Sequence, residues 1–272
     1  MNDALKTLRL AMLDVDGTLR DESGWKPSAA RLIEALHDAG LVVALCSGRN
    51  TESLHGSADE FRQISLVAPC SGSLVQARTD DGWSTLANRS ISPETVSWIA
   101  EQTAEADMEL WAYTDGSWIV ESVNERVTAE SHYVGAQATV GSFTDRDDIV
   151  KMLAFPLSRR QRQVLERIDA QRDLAVVQSY PGYFDIVRAE AAATKGGDIL
   201  TEHLGIGWDQ VVAMGDGEND LGMLSKAGVA MAMAPLRSTL LDPTGTDRRR
   251  FDCPDLATAI DHLAGLGVIA AG

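Results

Sequence analysis

The chain predicts an α/β fold: a doubly wound, mostly parallel sheet into which an α+β domain is inserted. Three observations lead there. Short strand-like runs at residues 8–13, 41–46, 209–214 and 229–233 read as buried parallel strands, and the first three stop abruptly at acids, glycines or a hydroxyl. Stretches of helical periodicity lie between them, giving βαβ units with right-handed crossovers. Between residues 81 and 189 the texture changes to strands that follow strands directly, which marks an antiparallel sheet with its own helices. Residues 1–80 and 190–272 are therefore read as the doubly wound part and 81–189 as the insertion.

A chain of 272 residues can bury one large core or two domains, and its 44% hydrophobic content is that of an ordinary globular protein. The net charge of -16 argues against nucleic acid or an anionic membrane as partner, since both carry the same sign. A small anionic substrate stays open, because a bound divalent cation inverts the local field. Asp3, Lys6 and Arg9 interrupt any secretory leader, and no run approaches the ~18 apolar residues of a membrane span, so a cytoplasmic protein is expected. Cys46, Cys70 and Cys253 form no C-x-x-C pair, and the five histidines show no H-x-x-x-H spacing. Neither a disulfide framework nor a zinc site is indicated.

The first strand ends in Asp14-Val15-Asp16-Gly17-Thr18. Alternate residues of a strand share a face, so Asp14 and Asp16 leave its carboxyl end in one direction. Gly17 then permits a sharp turn. Two carboxylates placed together are costly unless a cation or a proton separates them. The same letters also suit a plain turn or helix cap. Pro27-Ser28 starts a helix over residues 28–39 with Leu32, Ile33, Leu36 and Ala39 on its inner face, and Gly40 stops it. The strand at 41–46 delivers Ser47-Gly48-Arg49, and a third strand is read at 66–69.

Within the insertion, helices are expected at 93–105, 124–133 and 159–169, and strands at 108–114, 118–121, 150–155, 174–179 and 183–188. All four tyrosines and four of the six tryptophans fall here, either as sheet packing or as a wall over a substrate. The doubly wound pattern resumes with Thr194-Lys195-Gly196-Gly197 opening a helix in which Ile199 and Leu200 face inward. A strand at 209–214 ends in Gly215-Asp216-Gly217-Glu218-Asn219-Asp220, followed by a helix at 220–226, a strand at 229–233 and a closing helix at 255–264. Arg248-Arg249-Arg250 reads as a solvated turn.

Gly215-x-Gly217 lacks the third glycine of a dinucleotide loop, and its acid would repel a pyrophosphate. There is no P-loop, and Leu19 stands where a calcium-binding loop needs glycine. What remains is a set of acids at 14, 16, 216 and 220, a hydroxyl and glycine at 47–48, and Lys195, each at a strand end or helix start. Oxygen ligands without nitrogen or sulfur select a hard cation, Mg²⁺ above all. A hydroxyl, exposed N–H groups and a lysine suit a phosphate. Phosphoryl transfer through an aspartyl phosphate needs all of these together.

On these motifs the chain resembles the haloacid dehalogenase superfamily of phosphohydrolases, in particular the Cof-type subgroup with a type IIB cap and a Rossmann-like core. The D-x-D-G-T signature stands at Asp14–Thr18, the S/T-G-R motif at Ser47–Arg49, the lysine at Lys195, and G-D-G-x-N-D-x-x-M at Gly215–Met223. The resemblance implies Asp14 as nucleophile and metal ligand, and Asp16 as acid and base with its carbonyl on the metal. It implies Asp216 as a direct metal ligand and Asp220 behind it, orienting water or Lys195. Ser47, Gly48, Lys195 and Asn219 would hold phosphate oxygens. Arg49 has two readings, one of them a structural pair with a core acid. Ser71-Gly72-Ser73 and Met233-Ala234-Pro235 depart from the loops usual in the family, which weakens any transfer of substrate preference.

The expected activity is Mg²⁺-dependent hydrolysis of a small phosphorylated metabolite, a sugar phosphate first and a nucleotide-derived or flavin-type phosphate second, by a monomer or homodimer. A phosphomutase and a non-catalytic phosphometabolite sensor are the alternatives. An intact Asp16 speaks against the sensor, which has no use for an acid and base.

Overall fold

The computed structural model describes residues 8–241 and 249–270, so Asp3, Lys6 and Arg248 lie outside the described residues. Strand β1 (Leu10–Leu13) is followed by a small hairpin, β2 (Arg20–Asp21) and β3 (Gly24–Trp25), then α1 (Ala29–Asp38), β4 (Val42–Cys46), α2 (Thr51–Asp59) and β5 (Ile64–Ala68). A second hairpin, β6 (Leu74–Thr79) and β7 (Gly82–Asn88), precedes the inserted layer. That layer comprises α3 (Pro93–Ala104), β8 (Leu110–Tyr113), β9 (Trp118–Val120), α4 (Glu125–Val134), β10 (Ala138–Val140), β11 (Lys151–Ala154), α5 (Arg159–Asp169), β12 (Leu174–Tyr180) and β13 (Tyr183–Arg188). The chain returns through α6 (Ala189–Ala192), α7 (Gly197–Leu204), β14 (Val211–Gly215), α8 (Leu221–Lys226), β15 (Val229–Met233), β16 (Arg249–Cys253) and α9 (Leu256–Gly265).

The first sheet has the order β16-β15-β14-β1-β4-β5-β6-β7. It is parallel from β16 to β5; β6 alone runs against it, pairing antiparallel with both β5 and β7. Its strands are near-continuous apolar runs because both faces are covered. Ala11, Leu13, Val43, Leu45, Val212 and Met214 pack with Leu32, Ile33 and Leu36 of α1 and Ile260 and Leu263 of α9. Their neighbours Leu10, Met12, Ala44, Cys46 and Ala213 pack on the opposite face with Leu200 of α7 and Met223 and Leu224 of α8. β1 lies between β14 and β4 with Leu13 in register with both Met214 and Leu45, so three strands end at one level. That reversal of strand order is where a doubly wound sheet opens a crevice.

Three expectations are corrected. The first sheet runs past residue 80, because β7 pairs with β6 as far as Asn88. Ala39 is exposed, since it is the residue that ends α1 and not part of its buried stripe. Arg249 and Arg250 belong to β16. The Arg250 guanidinium donates to the carbonyls of Ala227 (2.9 Å) and Ser225 (2.8 Å), so carbonyls at the end of α8 hold it against the sheet.

The second sheet has the order β10-β9-β8-β11-β13-β12 and is antiparallel except where β10 joins β9. Ala112, Ile119, Met152 and Ile186 turn one face to Val96 and Ile99 of α3 and Val164, Leu165 and Ile168 of α5. The other face carries Trp111, Tyr113, Trp118 and Phe155 and packs against Cys70 and Leu74 of the first unit. These aromatics therefore serve as buried packing between the layers. The two chain crossings lie together: Arg89 donates to the carbonyl of Glu190 at 3.4 Å and to the carboxylate of Asp198 at 2.5 Å. Among the described residues no helix is long and apolar enough to cross a membrane.

Candidate active site

Four of the expected residues meet at the carboxyl ends of β1 and β14. The Lys195 ammonium donates to Asp14 Oδ1 at 2.7 Å and to Asp220 Oδ1 at 2.5 Å. Asp220 Oδ2 accepts from the backbone N–H groups of Asp216 and Gly217, both at 3.0 Å. Thr18 Oγ1 donates to Asp216 Oδ1 at 2.9 Å. Oxygens of Asp14, Asp216 and Asp220 all lie within 4.8 Å of one another. Asp14, Asp220 and Lys195 are buried, while Asp216 is half-buried.

Close backbone approach makes this possible. Gly17 has φ 86°, and a Cβ there would collide with the Asp216 carboxylate. Gly72 has φ 83°, and a Cβ there would strike the backbone of Lys195 and Gly196. Lys195 itself adopts a left-handed φ of 49°, a conformation that non-glycine residues keep only where surrounding contacts enforce it.

Three carboxylates around one ammonium leave the cluster short of positive charge. Burial raises the Asp14 pKa well above the usual carboxylate range, the Asp220 charge adds to this, and Lys195 offsets only part. Asp216 is raised for the same reasons, burial first and Asp220 second. Burial alone would lower the Lys195 pKa, but the Asp14 and Asp220 charges outweigh it and hold the ammonium above its ordinary value. An all-oxygen donor set with excess negative charge fits a hard divalent cation such as Mg²⁺. Among the described residues, Asp14 and Asp216 each accept one side-chain hydrogen bond, whereas Asp220 already accepts three. The lone pairs left for a cation therefore lie mainly on Asp14 and Asp216.

The Asp16 carboxylate stands in a separate network. Arg49 grips it through Nε and Nη2, and the Tyr133 phenol from α4 donates to Oδ1. Burial alone would lower the Arg49 pKa, but its bonds and charge pairing with Asp16 outweigh this and raise it. Ser47 and Gly48 follow β4, next to β1; Ser47 Oγ accepts from the Arg49 N–H at 3.2 Å. Asn219 sits half-buried in the 3-10 turn before Asp220. Among the described residues no hydrogen bond joins Ser47, Gly48 or Asn219 to the four clustered groups. Cys46 closes β4 near them, but burial pushes its thiol up to about 12 and leaves it inert.

The inserted layer adds groups that no motif marked. Tyr133 and Glu130, three apart on α4, face the Asp16–Arg49 pair; Tyr183 donates to Glu130 at 3.2 Å, and burial raises the Glu130 pKa. Lys151 and Asp185 form a buried pair at 3.2 Å. The i, i+3 spacing of the α4 pair is the one signal available in the sequence. For Lys151 and Asp185 there is none, because strand pairing alone brings them together.

Comparisons with known proteins show which family and fold the chain resembles. The family described as haloacid dehalogenase-like hydrolase matches residues 11–241. A 5-amino-6-(5-phospho-D-ribitylamino)uracil phosphatase of Bacillus subtilis is 23% identical over 285 residues, covering 94% of this chain and 98% of its own. A phosphoglycolate phosphatase of Methanospirillum hungatei is 25% identical over 230 residues, 84% of each chain. The solved structure of a subclass IIB sugar phosphatase superposes with a TM-score of 0.78 at 19% identity, over 96% of this chain and 100% of that one.

Proposed function

The chain belongs to the haloacid dehalogenase-like hydrolases, and as a phosphatase of that family we propose that it hydrolyses a small organic phosphomonoester with Mg²⁺ through an aspartyl phosphate. The observation that carries this reading is the buried ammonium of Lys195 bridging Asp14 and Asp220 beside Asp216.

Asp14 attacks phosphorus, forming the new P–O bond as the bond to the leaving oxygen breaks. Lys195 fixes the attacking carboxylate and lowers the repulsion between it and the phosphate, which at an intermediate dielectric amounts to several kcal/mol, roughly. Asp14 and Asp216, with the backbone carbonyl of Asp16, would hold Mg²⁺, which supplies further positive charge against that repulsion. Asp220 acts at one remove by holding Lys195 and the backbone of residues 216–217. Asp16 gives its proton to the leaving oxygen, then takes one from the water that cleaves the aspartyl phosphate and releases inorganic phosphate. The Ser47 hydroxyl, the Gly48 N–H and the Asn219 amide hold the remaining phosphate oxygens.

The inserted layer between β7 and α6 is the cap, and the substrate's organic part lies beneath it, against Tyr133 and Glu130. A sugar phosphate is the substrate class this reading favours. Supporting it, the relatives are named for an alditol phosphate, a glycolate phosphate and a sugar phosphate, all esters of aliphatic alcohols. The three cysteines are free thiols, which suits a reducing cytoplasm. Phosphate release from a panel of sugar phosphates, phosphoglycolate and nucleotides, with Mg²⁺ and with EDTA, tests the reading. Metal-dependent release that disappears in Asp14→Asn supports it; release that survives the substitution overturns it.

A further inference from the structure

Lys151 lies on β11 of the inserted sheet, yet its ammonium reaches the loop after β4: it donates to the Gly48 carbonyl at 2.6 Å. The side chain is 5% exposed, its ammonium lies 4.5 Å from the centre of the Tyr113 ring, and it is paired at 3.2 Å with Asp185, which is fully buried. Asp185 is held in turn by Ser71 Oγ at 2.6 Å and by Ser179 Oγ at 3.2 Å.

The peptide group that Lys151 touches has a second contact. Its carbonyl belongs to Gly48 and its N–H to Arg49, and that N–H donates to Ser47 Oγ at 3.2 Å. A cation on the carbonyl oxygen polarises the peptide and strengthens the N–H as a donor. With its oxygen accepting from Arg49, the Ser47 hydroxyl can send its own proton outward. The Ser47 carbonyl accepts from the Ser71 N–H at 2.9 Å, and the Arg49 carbonyl from the Cys70 N–H at 2.8 Å, so the core side of this turn is already pinned. Lys151 adds a contact to the same turn from the inserted layer.

We propose that Lys151 is a positioning residue that sets the Ser47 hydroxyl for binding phosphate, acting through the Gly48–Arg49 peptide, with Asp185 holding the lysine in place. This rests on the role given to Ser47 above. It also makes the phosphate-binding loop complete only when the inserted layer stands over it.

The test is a double-mutant cycle between Ser47→Ala and Lys151→Met, read as kcat, KM and the competitive inhibition constant of orthophosphate, with orthophosphate binding measured directly by calorimetry. A buried Asp185 left alone can unfold the single variant, so Lys151→Met/Asp185→Asn, which removes both charges, is measured beside it. Loss of a contact made equally in the ground and transition states raises KM without lowering kcat. The expected result is a rise of about 10-fold in KM and in both orthophosphate constants, with kcat changed less than about 3-fold. In the Ser47→Ala background the same change should have an effect below about 2-fold, because the two act through one hydroxyl. Unchanged KM and orthophosphate constants, or effects that multiply across the cycle, would overturn the proposal. If the wild type hydrolyses esters and Lys151→Met is silent, only the positioning role falls. If it hydrolyses nothing but binds orthophosphate in a Lys151-dependent way, only the hydrolytic reading falls. Neither hydrolysis nor orthophosphate binding would overturn both.

Discussion

The Arg49 guanidinium meets the Asp16 carboxylate as a planar fork, Nε to Oδ2 and Nη2 to Oδ1, each at 2.7 Å. Lysine cannot reproduce that pair of parallel bonds. The carboxylate assigned to proton transfer would then rotate out of its plane. Arg49→Lys should lower kcat by about 10²-fold, the scale of a misplaced catalytic group. Steady-state kinetics on the best ester of the panel measures it; an unchanged kcat would show that the fork serves stability alone.

Asp16→Asn should discriminate between leaving groups. Alkyl phosphates need a proton on the departing oxygen, and their turnover should fall by ~10²–10⁴-fold. An aryl ester such as p-nitrophenyl phosphate leaves without one, so formation of its aspartyl phosphate should slow by less than about 10-fold. A burst of p-nitrophenolate from the variant reads that step. Equal losses for both esters would deny Asp16 its role as acid.

Asp14→Asn should abolish turnover, by about 10⁴-fold or more, and yet stabilise the protein in EDTA. The folded-state pKa of Asp14 is raised, chiefly by burial and then by Asp220. A carboxylate raised in the folded state costs stability progressively as pH rises from its ordinary value through the raised one. As pH rises into that window the amide avoids the cost, so its thermal midpoint in EDTA should exceed that of the wild type by a margin that grows with pH and reaches about 2 °C or more. A midpoint that falls would mean that the Lys195 contact outweighs the burial.

Mg²⁺ should raise the thermal midpoint of the wild type, since a ligand that binds only the folded state at about 100 times its Kd adds ~2.7 kcal/mol. Asp216→Asn removes one of the two carboxylates with lone pairs to spare and should lose most of that increment. Thermal melts at graded MgCl₂ decide it.

His55 stacks on Trp83 at 4.7 Å and is paired through Nε2 with Gln76 at 2.8 Å. Burial lowers its pKa, with Gln76 opposing. A histidine depressed in the folded state contributes stability that is whole above its unfolded pKa of roughly 6.5 and is lost as pH falls through that value toward the folded one. His55→Phe keeps the stack and should flatten this part of the stability profile below neutrality. Urea midpoints across the acid limb test it; the same slope in both proteins would exclude His55 as its source.

Most of the first sheet was legible because burial on both faces leaves strands such as residues 41–46 as unbroken apolar runs. The β6–β7 hairpin was not: it continues the sheet at its edge, and Arg78, Thr79 and Ser84 write no apolar signal. β10 is missing for the same reason, with Thr139 and Val140 exposed at the other sheet's edge. At the site, Asp14, Lys195, Asp216 and Asp220 were readable because each follows a strand end or opens a helix. Tyr133 and Lys151 were hidden, since they reach the crevice from a separate layer that no local spacing ties to it.

The grip of Arg89 on Glu190 and Asp198 has a consequence for how such a protein changes over generations. Everything between those crossings enters and leaves the first sheet through one narrow doorway. Closing a longer or shorter excursion across it costs little, since loop entropy grows only with the logarithm of length. A lineage can therefore lengthen, trim or rewrite what lies beyond the doorway while the strand order that aligns Asp14 with Asp216 stays as it is. New substrates can be tried there without re-inventing the chemistry.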